Sequence, residues 1–213
     1  MAGLGAASSR TLADRINATA RRVPSWSLYP VAALLPAWLL QQALVGGLGV
    51  EPVEVMQHRL GEWGLQVLIA CLCITPLRRF LSLNLLRFRR ALGQIGFAYI
   101  TLHLLVWALL DVQIWSQIWA DIAKRPYITI GMAGFLLLVP LASTSTDRAL
   151  RTMGTSAWRT LHRLAYPAVL LGAVHWVMLS KTWQWEPMIH LGIVVALLAT
   201  RIEVRRVRRL VPR

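Results

Sequence analysis

Hydrophobic positions in this chain gather into six long runs instead of alternating with polar ones. The runs are 28–47, 63–77, 91–110, 126–145, 164–180 and 187–200, and none contains Asp, Glu, Lys or Arg. A helix that crosses a bilayer needs about 20 apolar residues, and about 17 at the least. The first, third and fourth runs meet that length and the fifth just does. The second and sixth are shorter, but arginine follows each (Arg78 and Arg79; Arg201). The aliphatic stem of arginine lets its charge reach water from inside the lipid edge and so lengthens the span. The pattern predicts an all-α fold, a polytopic membrane bundle of six transmembrane helices over 28–201. Residues 1–27 form a basic N-terminal tail and 202–213 a basic C-terminal tail.

Charge turns the pattern into an orientation. The chain carries 23 Lys and Arg against 9 Asp and Glu, a net charge of +14. Put the N-terminus inside and alternate the spans. Nineteen of the 23 basic residues then fall in the inner segments, and only Arg59, Lys124, Arg125 and Lys181 fall outside. Acidic residues divide the other way: Glu51, Glu54, Glu62, Asp111, Asp121 and Glu186 lie outside. An excess of Lys and Arg on cytoplasmic loops is the usual topology signal, so both termini are expected in the cytoplasm. The clusters RFRR and RRVRR are then topology determinants lying on anionic lipid. A second role for Arg78, Arg79, Arg87, Arg89 and Arg90, binding phosphate or propionate groups, stays open.

Composition excludes other classes. At 56% hydrophobic and 15% charged residues, the chain lacks the water-facing basic surface that a nucleic-acid binder needs. Cys71 and Cys73 are spaced as helix neighbours, poor geometry for a disulfide, and read as small buried apolar residues. Of the ten tryptophans, Trp26, Trp63, Trp115, Trp119, Trp158, Trp183 and Trp185 fall near helix ends, as in an interfacial belt. The first run lacks a small-x-small cleavage site and is expected to stay as a helix. Ser143 to Asp147 is a polar stop that caps a short amphipathic segment after the fourth run.

The chemistry rests on five histidines. His103 and His175 lie deep in runs three and five, His162 at the inner edge of run five, His190 near the outer end of run six and His58 in the first outer loop. An ionisable side chain within a span is costly and marks function. His103 is 13 residues beyond Arg90, and His175 is 12 beyond Arg163. At 1.5 Å per residue both stand about 18–20 Å from the inner edge, on spans running the same way. Two level imidazoles can ligate a haem iron from opposite faces, which suits electron transfer because no position is left for oxygen. Gly96 and Gly172 are expected to give a macrocycle room. His162 lies about 20 Å lower, where a second haem would stack toward the cytoplasm. It is 140° out of phase with His175 on an ideal helix, a mismatch that a kink at Pro167 would correct. No histidine on run three faces it, since Arg89 and Arg90 hold that depth. The motifs HExxH and CxxC, a phosphate-cradling glycine loop and a nucleophile elbow are missing, as is room for a nicotinamide domain.

Several segments carry a resemblance. QHRLGEW in the first outer loop, ITPLRR ending helix two, RFRRALG and TLHL in helix three, KRPYITIG opening helix four, LASTS ending it, and WRTLHRLAYP with VHW in helix five resemble the MsrQ (YedZ) family. That family comprises haem-binding membrane subunits of periplasmic methionine-sulfoxide reductase systems. The resemblance spans 28–201 and extends more broadly to the ferric reductase/NADPH oxidase transmembrane core. It implies haem b (one or two), FMN on residues it does not assign, quinol as electron donor, and a periplasmic molybdopterin partner, MsrP, that reduces methionine sulfoxide in oxidised proteins. By motif, His103, His162 and His175 match the family's haem-ligand positions. The chain is then an electron-transfer subunit, not itself an enzyme. A transporter relaying protons through His103 and His175 is the competing reading. It predicts a colourless protein and intramembrane carboxylates, and the runs hold no such carboxylate.

Overall fold

A computed structural model describes residues 11–180 and 184–210, with 202–210 known by backbone alone; Arg10, Lys181, Trp183 and Arg213 lie outside the described residues. The elements are α1 (Leu12–Arg22), α2 (Leu28–Leu44), α3 (Pro52–Phe80), α4 (Arg89–Val106), α5 (Trp115–Lys124), α6 (Pro126–Ser143), α7 (Asp147–Leu161), α8 (Ala165–Leu179) and α9 (Trp185–Leu210). A π-helical turn, Trp107–Val112, continues α4, and short 3-10 turns precede α2, α4 and α8. Each apolar run is helical. By length and composition three elements can cross a membrane, namely Pro52–Phe80, Leu86–Val112 and Pro126–Ser143. A fourth qualifies if Leu12–Arg22 and Ser25–Leu44, bent by 81°, count as one span.

Two expectations change at the ends of runs. The QHRLGEW segment is not a loop. It forms the first turns of α3, which starts at Pro52, where a missing N–H breaks no helical bond. His58 is therefore on a helix. Nor does His162 share a kinked helix with His175: His162–Leu164 is a 3-10 turn between α7 and α8. Pro167 sits in the first turn of α8, where its lack of an N–H is harmless, so the chain breaks before it and does not bend at it. The capped amphipathic segment is α7, with the Thr146 hydroxyl accepting from the Ala149 N–H. Inside the N-terminal segment, α1 carries a capping box between Thr11 and Asp14. Asn17 fastens α1 to the α3–α4 connection by donating to the Ser82 carbonyl (2.9 Å) and accepting from the Asn84 N–H (2.7 Å).

Helices α3 and α4 pack as one pair and α6 and α8 as another, with α9 against α8 and α2 across α3 and α4. The main core joins Leu65, Leu68, Ile69 and Leu72 of α3 to Leu138 and Leu141 of α6, Ala168, Val169 and Ala173 of α8, and Val194 of α9. Among the described residues no buried side chain is polar or charged, while Leu34, Trp38, Leu109, Leu136 and Val195 are each at least half exposed. Apolar inside and apolar outside is the signature of a helix bundle surrounded by lipid.

Lipid also makes unpaired backbone expensive, and the proline sites show how the chain answers. Pro36 in α2 cannot donate to the Ala32 carbonyl, and the Tyr99 hydroxyl of α4 donates to it instead. Pro76 in α3 leaves the Leu72 carbonyl free, and Arg201 of α9 donates to it at 2.8 Å. Both of these vacancies in a helix ladder are filled by a polar tip from a neighbouring helix.

Candidate functional site

The bundle brings the rings of His103 and His175 together. Their ring centroids are 6.4 Å apart and their planes stand at 75°. The Nδ1–H of His103 donates to the Gln57 carbonyl of α3 (2.8 Å), and that of His175 donates to the Tyr127 carbonyl of α6 (2.7 Å). A carbonyl only accepts, so each neutral ring carries its proton on Nδ1 and a lone pair on Nε2. This is the ligand-ready tautomer, oriented by an outer hydrogen bond as metal-bound histidines are. One metal ion between two imidazoles, at about 2.0 Å from each nitrogen, sets the ring centres about 6.3 Å apart. The observed separation fits one iron held from both sides.

A cavity of about 380 Å³ opens beside the pair, bounded by α3, α4, α6 and α8. That lies within the roughly 300–1,000 Å³ of small-molecule and cofactor sites. Its depth is apolar, with Leu65, Leu68, Phe135, Leu138 and Val169 on the wall. Its mouth is charged, with Glu51, Glu54, Glu62, Asp111, His58 and Arg125. Apolar walls and a polar rim suit a flat group with an apolar body and charged edges. Among the described residues no three His, Cys, Asp or Glu gather around one point, which leaves the pair as a two-ligand arrangement.

The other predicted residues sit elsewhere. The structure does not bring His162 to the pair. Its ring stacks on Trp158 (3.8 Å between centroids), and its Nε2 lies 3.2 Å from the Thr144 hydroxyl. Trp158 is therefore more than a belt residue. Arg90 is paired with Asp147 (2.7 Å), and Arg87 donates to the Ala20 and Arg21 carbonyls. His190 donates to the Glu186 carbonyl one turn back in α9 and leans on Trp176, an ordinary place at a helix end. Gly172 lines the cavity as expected. Gly96 does not: a Cβ there would stand 2.7 Å from the Leu68 side chain, so its smallness serves the α3–α4 crossing. Cys71 and Cys73 are free thiols, in keeping with a packing role.

Two functional glycines escaped the sequence reading. A Cβ on Gly61 would lie 2.9 Å from Nδ1 of His103, and one on Gly131 would lie 2.8 Å from Nδ1 of His175. The signal was a short repeat. Gln57, Gly61 and Gly64 in α3 have the same spacing as Tyr127, Gly131 and Gly134 in α6. In both helices the carbonyl that accepts from a histidine comes one turn before the glycine that admits its ring.

Residues 60–173 match the family described as ferric reductase like transmembrane component. The chain is 48% identical over 182 residues to the protein-methionine-sulfoxide reductase heme-binding subunit MsrQ of Rhodospirillum rubrum, covering 84% of this chain and 87% of that one. It is 46% identical over 168 residues to the MsrQ of Caulobacter vibrioides, covering 78% and 80% of the two chains. The chain belongs to the MsrQ family. The ferric reductase like match takes in His103 and His162 and both histidine-facing glycines, and it ends two residues before His175. No solved structure matches this MsrQ chain.

Proposed function

We propose that this chain is the haem-binding membrane subunit of a protein-methionine-sulfoxide reductase. In this reading it is a b-type cytochrome of the bacterial inner membrane that passes electrons from the quinone pool to a periplasmic molybdopterin partner, MsrP. Six spans carry it, with both termini in the cytoplasm, and the reducing site for methionine sulfoxide is on the partner. The observation that carries the proposal is the His103–His175 pair, held 6.4 Å apart with both Nε2 lone pairs free. The names of the relatives, heme-binding subunits of protein-methionine-sulfoxide reductase, point the same way.

His103 and His175 would hold the haem iron. When bound, a haem supplies one-electron chemistry, and two histidine ligands keep oxygen off the metal. The chain's part is to orient and insulate. The Gln57 and Tyr127 carbonyls fix the two rings, and the cavity wall of Leu65, Leu68 and Phe135 excludes water. The acidic rim at Glu51 and Glu54 offers a periplasmic partner a negative face, while Glu62 is paired with Arg59. FMN enters the proposal through family resemblance alone and is assigned to no residue.

His162 is proposed as ligand of a second haem nearer the cytoplasm. That role requires Nε2 to leave Thr144, and the opposite ligand is not a described histidine. A haemochrome count per polypeptide tests both parts. The purified protein should show a reduced b-type spectrum that His103→Ala or His175→Ala largely removes. Full haem content in both variants overturns the outer assignment. A count of one haem per chain, unchanged by His162→Ala, removes the inner one.

A further inference from the structure

We infer that Gly61 and Gly131 are positioning residues that hold the two imidazole planes crossed, and thereby set the electronic character of the metal between them. The inference rests on the proposed ligation by His103 and His175. A histidine ring has no sharply preferred χ2, so rotamer choice alone does not fix its plane. Here each plane is set by two contacts on one neighbouring helix. The Nδ1–H donates to the carbonyl of Gln57 or Tyr127. One turn on, the same ring edge rests against a residue with no side chain: hypothetical Cβ atoms on Gly61 and Gly131 fall within 2.9 Å of the two Nδ1 atoms. The 2.9 Å and 2.8 Å approaches are shorter than any ordinary Cβ contact, so a methyl group must displace the ring, the hydrogen bond or the helix.

The arrangement occurs twice. In α3, Gln57 and Gly61 serve His103 of α4; in α6, Tyr127 and Gly131 serve His175 of α8. The two supporting helices approach from different sides, and the planes end at 75°. Crossed imidazole planes leave the two π-donor orbitals of a low-spin ferric ion nearly equal in energy, whereas parallel planes split them. The first condition gives an electron paramagnetic resonance signal dominated by one very large g value; the second gives a rhombic signal with three resolved values.

Other glycines of the bundle supply the controls. Gly64 and Gly96 are also crowded, but against Ile100 and Leu68, so they serve helix crossing and touch neither ring. Gly93 and Gly192 face open space.

The experiment is electron paramagnetic resonance of the oxidised, haem-loaded full chain in detergent, with haem quantified in parallel. The native protein should show the large-g signal. Gly61→Ala and Gly131→Ala should each move it toward the rhombic form and weaken haem retention by about 10–100-fold, the usual effect of losing an orienting partner. Gly64→Ala and Gly96→Ala should lower thermal stability while any bound haem keeps the native signal. Gly93→Ala and Gly192→Ala should change neither. Selective loss of haem from the Gly61 and Gly131 variants, with retention in the Gly64 and Gly96 variants, also supports the inference. A rhombic native signal overturns it, as does a native-like signal in both Gly61→Ala and Gly131→Ala. A native protein that binds no haem overturns instead the ligation on which the inference rests.

Discussion

The His103–His175 pair and His162 use the same side chain in opposite states. At the pair, two helix carbonyls take the Nδ1 protons and leave Nε2 bare. At His162, the Thr144 hydroxyl already donates to the Pro140 carbonyl (2.6 Å), so it accepts from the ring and the proton is on Nε2. Trp158 covers the ring face and anchors itself by donating to the Thr144 carbonyl. The comparison teaches that depth and residue type do not make a histidine a ligand. The group bonded to the other ring nitrogen decides which nitrogen is free.

The largest expected effect would break the comparison outright. His103→Ala or His175→Ala should abolish most haem absorbance, whereas His162→Ala should leave the outer haem signal in place. Loss as complete in His162→Ala as in His103→Ala would mean that the two regions are one site. Next, Thr144→Val removes the acceptor that occupies His162 Nε2. The proposed second haem should then be held more tightly, read as slower haem loss to apomyoglobin, and an unchanged rate of loss would take His162 out of the ligand set.

A smaller effect separates buried from exposed partners. Tyr99→Phe strips the donor from the Ala32 carbonyl that Pro36 leaves open, and should lower stability by about 1–3 kcal/mol in thermal melts followed by circular dichroism. Pro36→Ala restores a backbone N–H at that point, so the double variant should recover most of the loss. Equal losses in the single and double variants would show that the tyrosine acts by packing.

The smallest effect belongs to the exposed Arg90–Asp147 pair. Hydrogen bonding to Arg90, and then its charge, hold the Asp147 carboxyl below its usual range. A carboxyl depressed in the folded state adds stability above the ordinary aspartate value of about 3.9, and that contribution is lost as pH falls through the folded value. The pair is exposed, so Asp147→Asn should shift the melting temperature little at neutral pH, and still less at high salt. A large shift at neutral pH would assign this pair a structural role that exposed charges rarely have.

Much of this was legible along the chain. The six apolar runs all became helix, because uninterrupted apolar segments in lipid must satisfy their own backbone. Counting residues from Arg90 and Arg163 put His103 and His175 at one height, and the rings do meet. The start of α3 was misplaced because charged residues in QHRLGEW mask a helix that begins with proline. The kink expected at Pro167 is absent because a proline in the first turn of a helix is accommodated there; the chain passes from α7 to α8 through the 3-10 turn His162–Leu164 instead. Gly96 was given to the wrong neighbour, since sequence spacing does not say which helix stands opposite.

Composition and periodicity thus determined that this chain is a lipid-embedded helix bundle with two histidines at equal depth, because local hydrogen bonding and apolar length are properties of single segments. Which nitrogen His103 and His175 present, at what angle their rings cross, and which polar tips fill the vacancies at Pro36 and Pro76 were decided only by tertiary structure. Those outcomes depend on contacts between helices such as α3 with α4 and α6 with α8, and the positions in contact are 40 or more residues apart.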